Sequence, residues 1–573
     1  MNYKLINKVP EDKKNILSIA EQILYNRGIE NPDLYMSLTD KNLYPYNLLD
    51  NIDDAVKVLL RHIEEENTIG IISDSDADGY CSASILFQYL SEIYDVNKIL
   101  YFIHTKKQHG ISYDIQIPSN VKLLFVPDAG SNDADEAKAL KEKGVDIICL
   151  DHHEKSKENP YAIIINPKWC EYPNKELSGT GVVWKFLQAI DDELWENRSD
   201  KYLDIVALSI IGDGMDIREF ENKRIIDKGL SNIKNKFLNA LIEKQSYSIS
   251  GIVNIINVQF YIIPLINGLI RNSTFEEKEL MFKAFCQMDE EFDYMKRGET
   301  EPVKENIYAR VARLCVNNKA KQDRIINKSI EEIIKDIEKY KWDDNKVLFV
   351  KFDDIESSYV GLTAMKLASL YSKPCILFRE TNWKPGFYNG SGRNIDNSPI
   401  ENLRDFVLNT DLFTMAQGHA SAFGCEFEKE NIREIISVTN EILKDIIYEK
   451  IYSIDFVFDE DELSSELIRE FDKLKTYWGT KINESLVLIK NIHLNTADIK
   501  LVGKELDTWK YTINDEIEII KFKCSSDDEI IQLHQKDWGG VDVIVDAIGK
   551  LSISGFNGIM TPQFNIIEYE IKK

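Results

Sequence analysis

Basic residues are too few to balance the acids: 70 Lys+Arg stand against 96 Asp+Glu in 573 residues, a formal charge of −26. That deficit excludes a protein that coats nucleic acid by bulk charge, because such binding comes from cations neutralising phosphates. It does not exclude a nucleic-acid enzyme with local basic patches or one that holds metal ions. Paired cysteines are also missing. The eight stand at Cys81, Cys149, Cys170, Cys286, Cys315, Cys375, Cys425 and Cys524, none with C-x-x-C spacing, so neither a zinc knuckle nor a thioredoxin-type site is expected. Several lie in apolar runs such as Val145 to Leu150, so reduced thiols and a cytoplasmic location are expected. Residues Met1 to Pro10 contain no apolar signal core. The longest apolar stretch, Gly251 to Ile270, is interrupted by Asn254, Asn257, Gln259, Pro264 and Asn267, too polar for a membrane span of about 20 residues. Fixed-period repeats and low-complexity tracts are absent. What is present, 43% hydrophobic and 29% charged residues, is enough for full-sized cores. The length predicts roughly three to five domains at about 100–200 residues each.

The chain reads as an α/β protein. A helical lead-in over residues 1–50 ends in the turn-prone Leu43 to Asn47. Apolar runs at Thr68 to Ser73, Lys98 to Ile103, Val121 to Val126, Val145 to Leu150 and Ala162 to Ile165 then alternate with helical patterns at Ser82 to Ile93 and Asp133 to Lys143. That alternation predicts a parallel sheet over 51–220. Residues 221–345 read as a helical connector without strands. A second β-α-β pattern begins at Val347 to Val350, continues through Val360 to Tyr371 and Pro374 to Phe378, and fills 346–450. The remainder, 451–573, opens on the acidic stretch Asp455 to Asp472, expected to be a surface feature, and continues in short β-like runs that suit a small OB-like barrel.

Three strands run directly into aspartates. Ser73 is followed by Asp74-Ser75-Asp76-Ala77-Asp78-Gly79, Val126 by Pro127-Asp128-Ala129-Gly130, and Leu150 by Asp151-His152-His153-Glu154. A fourth group, Gly212-Asp213-Gly214, follows the apolar run Ile205 to Ile211. Alternating carboxylates repel one another unless a cation offsets them, and hard divalent ions prefer carboxylate oxygens. The plain alternative is a solvated acidic turn. An EF-hand does not fit, since Ile85 stands where the loop's closing Glu belongs. In a parallel sheet the strand ends open on one edge, so these groups can converge there. Carboxylates with imidazole suit Mn²⁺, with Mg²⁺ where oxygens dominate. A bridging aspartate would hold two ions about 3.5–4 Å apart, the geometry of phosphoester hydrolysis.

The ordered groups Asp74/Asp76/Asp78, Asp128, Asp151-His152-His153 and Asp213 resemble the four motifs of the DHH phosphoesterases. The glycine loops Gly390-Ser391-Gly392-Arg393-Asn394 and Gly418-His419-Ala420-Ser421-Ala422-Phe423-Gly424 are similar to that family's associated domain. Ser178 to Val183, Ser357 to Phe378 and Val541 to Ile567 extend the likeness along nearly the whole chain to the RecJ-like branch. The resemblance implies a DHH catalytic domain, a helical connector, a DHH-associated α/β domain and an OB-fold. It implies 5′→3′ hydrolysis of single-stranded DNA in recombination and repair, with two ions of Mn²⁺ or Mg²⁺ and no protein nucleophile. Asp76 and Asp78 would each ligate one ion, Asp128 would bridge, and His152 and Asp213 would complete the set. Asp74 would ligate or support the cluster, Asp151 would ligate or orient an imidazole, and His153 would touch the phosphate.

Nucleic-acid contacts are expected from His104, Lys106 and Lys107, from Ser391, Gly392, Arg393 and His419, and from Arg271. They are also expected from the helical stretch Val303 to Arg324, where Arg310 and Arg313 are among six basic residues facing two acids. For each of these, an ordinary solvated loop or helix face is the alternative. The chain departs from the pattern at Pro264-Leu265-Ile266-Asn267, which lacks an Arg before Ile-Asn, and at Gln417-Gly418 and Phe423. Single-strand-binding protein or a helicase are the partners the resemblance suggests. Two other readings remain: a phosphodiesterase for short oligonucleotides or cyclic dinucleotides, and an inactive single-strand-binding scaffold.

Overall fold

The computed structural model describes residues 1–106, 108–112, 115–296, 298–381, 383–395, 398–448, 450–525, 527–536, 540–556 and 559–572. It contains two compact units. One comprises residues 1, 3–316 and 452–573, the other residue 2 with 317–451.

The first unit is built on a five-stranded, all-parallel sheet. Its order is Ile99–Ile103, Thr68–Ser73, Val121–Pro127, Asp146–Leu150, Ile163–Ile165. The strands are continuous runs of Ile, Leu, Val and Phe because helices cover such sheets on both faces. Helix Ala77–Ile93 packs against helices Gly179–Leu194 and Leu203–Gly212 and is buried nearly all round. Two ladder bonds continue past the strand ends: Asp128 N–H donates to the Leu150 carbonyl at 2.8 Å, and Asp151 N–H to the Ile165 carbonyl at 3.0 Å. They fix both aspartates at one sheet edge. Asp128 has φ +63°, a left-handed conformation that Asp tolerates better than most residues.

The same unit ends in a seven-stranded OB-like sheet. Its order is Phe456–Asp459, Val487–Asn495, Asp542–Phe556, Ile559–Lys572, Ile517–Lys521, Thr508–Ile513, Lys500–Val502. The acidic stretch before it is not wholly superficial. Asp455 is buried, takes two 2.8 Å bonds from Arg27, and also accepts from Asn26 and Ser485. The charge run hides this pairing because Arg27 lies 428 residues away in sequence.

The region read as purely helical contains a hairpin, Glu291–Tyr294 against Val303–Asn306. Helix begins at Ile307 rather than Val303 and runs to Tyr340. Each strand spans four residues, too short for its period-2 pattern to stand out. Phe292, Tyr294, Val303 and Glu305 share the half-buried face.

The second unit carries a mixed sheet in the order Met415–His419, Ala422–Glu428, Phe387–Arg393, Cys375–Glu380, Leu348–Lys351. The pairing of Cys375–Glu380 with Leu348–Lys351 is parallel and the other pairings are antiparallel. The supposed glycine loops are mostly strand. Gly390 and Gly392 lie within Phe387–Arg393, and Gly418 and His419 end a strand. Glycine is used there for room: a Cβ on Gly392 would lie 2.4 Å from the Phe423 ring, and one on Gly390 2.6 Å from the Leu377 carbonyl.

Candidate metal centre

Four chain segments bring carboxylates and imidazoles to the edge of the parallel sheet. Asp76 caps the helix Ala77–Ile93 by accepting from Gly79 N–H at 3.0 Å. Gly79 allows the turn to close on Asp74, since a Cβ there would sit 2.5 Å from the Asp74 Cβ. Asp78 projects from the first turn towards the N-terminus of helix Gly179–Leu194. Its oxygens accept from Gly179 N–H and Thr180 N–H, both at 2.8 Å, and from the Thr180 and Ser209 hydroxyls. Backbone donors and the positive end of the helix thus orient one carboxylate.

His152 Nε2 lies at the centre. It is 3.2 Å from Asp128 Oδ1, 3.5 Å from Asp213 Oδ2 and 3.9 Å from Asp78 Oδ2. Three sets of potential donor atoms fall within 4.8 Å of one another: Asp128 with His152 and His153, Asp78 with His152 and Asp213, and Asp74 with Asp76 and Asp128. Asp128 belongs to two of them.

Charge is crowded here. Burial, then the Asp74 charge, pushes Asp76 up to about 6. Burial, then Asp78 and Asp76, pushes Asp213 up to about 8. Asp128 is raised well above the carboxylate range by burial and then by Asp78. Burial lowers His152. Among the described residues, Asp128 Oδ1 and His152 Nδ1 are buried with no hydrogen-bond partner. Hard oxygen donors, an imidazole and uncompensated buried polar atoms fit one or more divalent cations.

Asp151 is occupied differently. It accepts from the backbone N–H groups of Ser131, His152 and His153 and from His153 Nδ1 at 2.7 Å. Burial alone would raise it, but the His153 hydrogen bond and charge hold it well below the usual range. The same bond lifts His153 to about 9, favouring the protonated form of this half-exposed imidazole.

His104 lies buried under the cluster, its Nε2 3.9 Å from Asp74 Oδ1, rather than on an exposed strand path. Lys106 is exposed, and Lys107 lies outside the described residues. Arg271 is close enough to Asp76 to feel its charge. Arg310 and Arg313 meet their own hairpin. Arg310 stacks 4.4 Å over Phe292, and Arg313 stacks 4.0 Å over Tyr294 and pairs with Glu305. In the second unit, the Arg393 guanidinium donates to Ser391 Oγ and the Gly392 carbonyl, both at 2.7 Å, in space left by Gly361. His419 is exposed.

Sequence reasoning missed His109, whose Nδ1 is 2.5 Å from Asp74 Oδ2. It also missed Thr180 and Ser209 as holders of Asp78. The small-residue run Ser178 to Gly181 is a helix-start signal for the first of these. A hydroxyl inside the apolar run Ile205 to Ile211 is a signal for the second.

The family described as DHH family, N-terminal domain, matches residues 68–210. The RecJ OB domain matches 454–568. The chain is 36% identical over 575 residues to the putative SPbeta prophage-derived single-strand DNA-specific exonuclease YorK of Bacillus subtilis (strain 168), covering 100% of this chain and 98% of the relative. It is 25% identical to the single-stranded-DNA-specific exonuclease RecJ of the same organism, over 97% of this chain and 68% of the relative. Its fold is similar to that of RecJ in complex with Mn²⁺ from Thermus thermophilus, with a TM-score of 0.73 and 16% identity over 100% of this chain and 80% of that one.

Proposed function

The chain belongs to the family of RecJ-like single-strand DNA-specific exonucleases, and from that membership we propose that it hydrolyses single-stranded DNA from the 5′ end in a metal-dependent reaction. The observation that carries this reading is the convergence of Asp78, Asp128 and Asp213 on His152 Nε2. Asp74, Asp76, Asp78, Asp128, His152 and Asp213 are the residues that would hold two ions of Mn²⁺ or Mg²⁺, and Asp128 would serve both. When bound, such ions would supply an acidified water for hydrolysis and would offset charge on the phosphoryl oxygens.

The chain's own groups prepare the site. The helix N-terminus at Gly179 and Thr180, with Ser209, holds Asp78 in one orientation. Asp151 holds His153 protonated, which suits it to a non-bridging oxygen of the scissile phosphate. His104 and His109 flank Asp74 and steady it. Lys106, Arg271, Ser391, Gly392, Arg393 and His419 are retained as strand contacts. Arg310 and Arg313 serve first to pin the hairpin. The domain division follows 1–50, 51–220, 221–345, 346–450 and 451–573.

End-labelled single strands incubated with Mn²⁺ or Mg²⁺ test the reading. Mononucleotides released from the 5′ end are expected, and activity confined to dinucleotides would overturn it. No helix among the described residues is long and apolar enough to cross a membrane. A cytoplasmic location, and single-strand-binding protein or a helicase as partner, belong to the same proposal. Affinity capture from cell lysate checks the partners.

A further inference from the structure

The helical segment Val258–Asn272 presents a solvent-facing stripe whose cause lies in the sequence. Pro264 has no N–H for the carbonyl four residues back. The turn before it is widened, with Val258–Ile262 forming a π turn closed by the Ile263 N–H on the Val258 carbonyl. A π turn holds an extra residue, as such insertions at functional sites often do. Phe260 and Tyr261 are both left outside, 63% and 40% exposed. The opposite face, Ile262, Ile263, Leu265, Ile266, Leu269 and Ile270, is buried. Further along the outer side, Pro264 and Asn267 are half-buried and Arg271 is exposed.

One packing contact and one charge interaction place this stripe. Ile263 packs on Gly212, where a Cβ would lie 2.8 Å from its Cδ1, directly before Asp213. Arg271 feels the Asp76 carboxylate. Phe260 and Arg271 are eleven positions apart, about 16 Å along the segment at ~1.5 Å per residue. A single exposed aromatic is unremarkable in itself. This one is held out by a backbone irregularity, on a stripe that runs beside the candidate metal centre and carries a cation.

We propose that Phe260 is a stacking platform for an unpaired nucleobase of the strand whose terminal phosphate lies at the acidic cluster. The proposal rests on the single-strand reading above and adds a base-contacting site to it. An unpaired base offers both π faces to a protruding ring, whereas bases in a duplex are already stacked on each other.

The test compares affinity for a 5′-phosphorylated 12-nucleotide single strand, and for strands with one abasic position at each of the first six nucleotides in turn, by anisotropy without added metal. Phe260→Ala is expected to weaken the intact strand about 5- to 100-fold. One abasic position should weaken binding to the unsubstituted protein by a similar factor and leave the variant unaffected. Phe260→Trp should retain full affinity. Equal abasic penalties in both proteins, or an unchanged affinity for Phe260→Ala, would overturn the proposal. Cleavage of the intact strand with Mn²⁺ is read separately. Cleavage without a Phe260 effect sinks this inference alone, and a Phe260 effect without cleavage sinks the exonuclease reading alone.

Discussion

His152 Nε2 stands 3.2 Å from Asp128 Oδ1, a carboxylate raised far above its usual pKa by burial and by Asp78. A buried charge among like charges costs stability in the ion-free protein. Asp128→Asn removes this ionisable group, with its cost of ionising or protonating in the fold, and keeps the shape. It should raise the thermal midpoint of the metal-free protein while lowering cleavage more than ~100-fold, beyond the loss typical of an outer partner. Calorimetry in chelator, with an assay in Mn²⁺, checks both. A variant that loses stability and keeps activity would contradict the assignment.

Metal addition should act in the opposite direction on the unsubstituted protein. A ligand at about 100 times its Kd stabilises the folded state by about 2.7 kcal/mol. Mn²⁺ should therefore raise the melting temperature, and Asp128→Asn should blunt that rise. Chelation should abolish cleavage, and Mn²⁺ should restore it.

Ser209→Ala isolates the orientation of Asp78. The Ser209 hydroxyl donates to Asp78 and accepts at 2.7 Å from the hydroxyl of Ser178, itself the cap of helix Gly179–Leu194. Losing a partner of this kind typically costs 10–100-fold in metal affinity or activity, by roughly that factor here. Isothermal titration with Mn²⁺ should show the drop, and Ser209→Thr should recover part of it.

The sheet was legible because each of its strands is an apolar run ending at a turn, and Thr68 to Ser73 matches the observed strand at both ends. The carboxylate and histidine groups were legible because strand ends of a parallel sheet share an edge. Long-range partners were not. Nothing local distinguishes His104, under Asp74, from a surface histidine, or shows that Arg313 would bind Glu305 and Tyr294. Gly390 and Gly392 read as a loop because glycine usually marks one, whereas here they make room for Phe423 and the Leu377 carbonyl. Arg313 and Asp455 show the same limit: charge counted along the sequence ignores which charges the fold has already paired.

Asp146 gives a pH-dependent stability. It joins strand Asp146–Leu150 to Arg61, His62 and Lys141. Burial raises its pKa, but the hydrogen bonds from Lys141, His62 and Arg61 outweigh burial and bring it down to about 2. A depressed folded-state pKa gives stability that is present above the unfolded value near 3.9 and lost as pH falls through about 2. Part exposure reduces its worth to about 1 kcal/mol. Asp146→Asn should cost that much in urea at pH 7 and nearly nothing at pH 2.

Arg27 and Asp455 fasten the helix Ile19–Asn26 region to the OB-like sheet, with side chains only 9% and 0% exposed. Asn26 and Ser485 complete the carboxylate's hydrogen bonds. Breaking one partner of such a pair leaves an uncompensated buried charge, so Arg27→Ala should destabilise by about 3–5 kcal/mol. Replacing both charges by apolar groups of similar size removes that penalty, because desolvating two ions consumes most of what their attraction returns. The double variant Arg27→Met with Asp455→Leu should therefore be more stable than Arg27→Ala and lie within about 2 kcal/mol of the unsubstituted protein, since Asn26 and Ser485 each lose a bond worth about 1 kcal/mol. Urea unfolding of the three proteins decides it. A double variant no more stable than Arg27→Ala would mean that the pair's attraction, rather than the stranded charge, sets the loss.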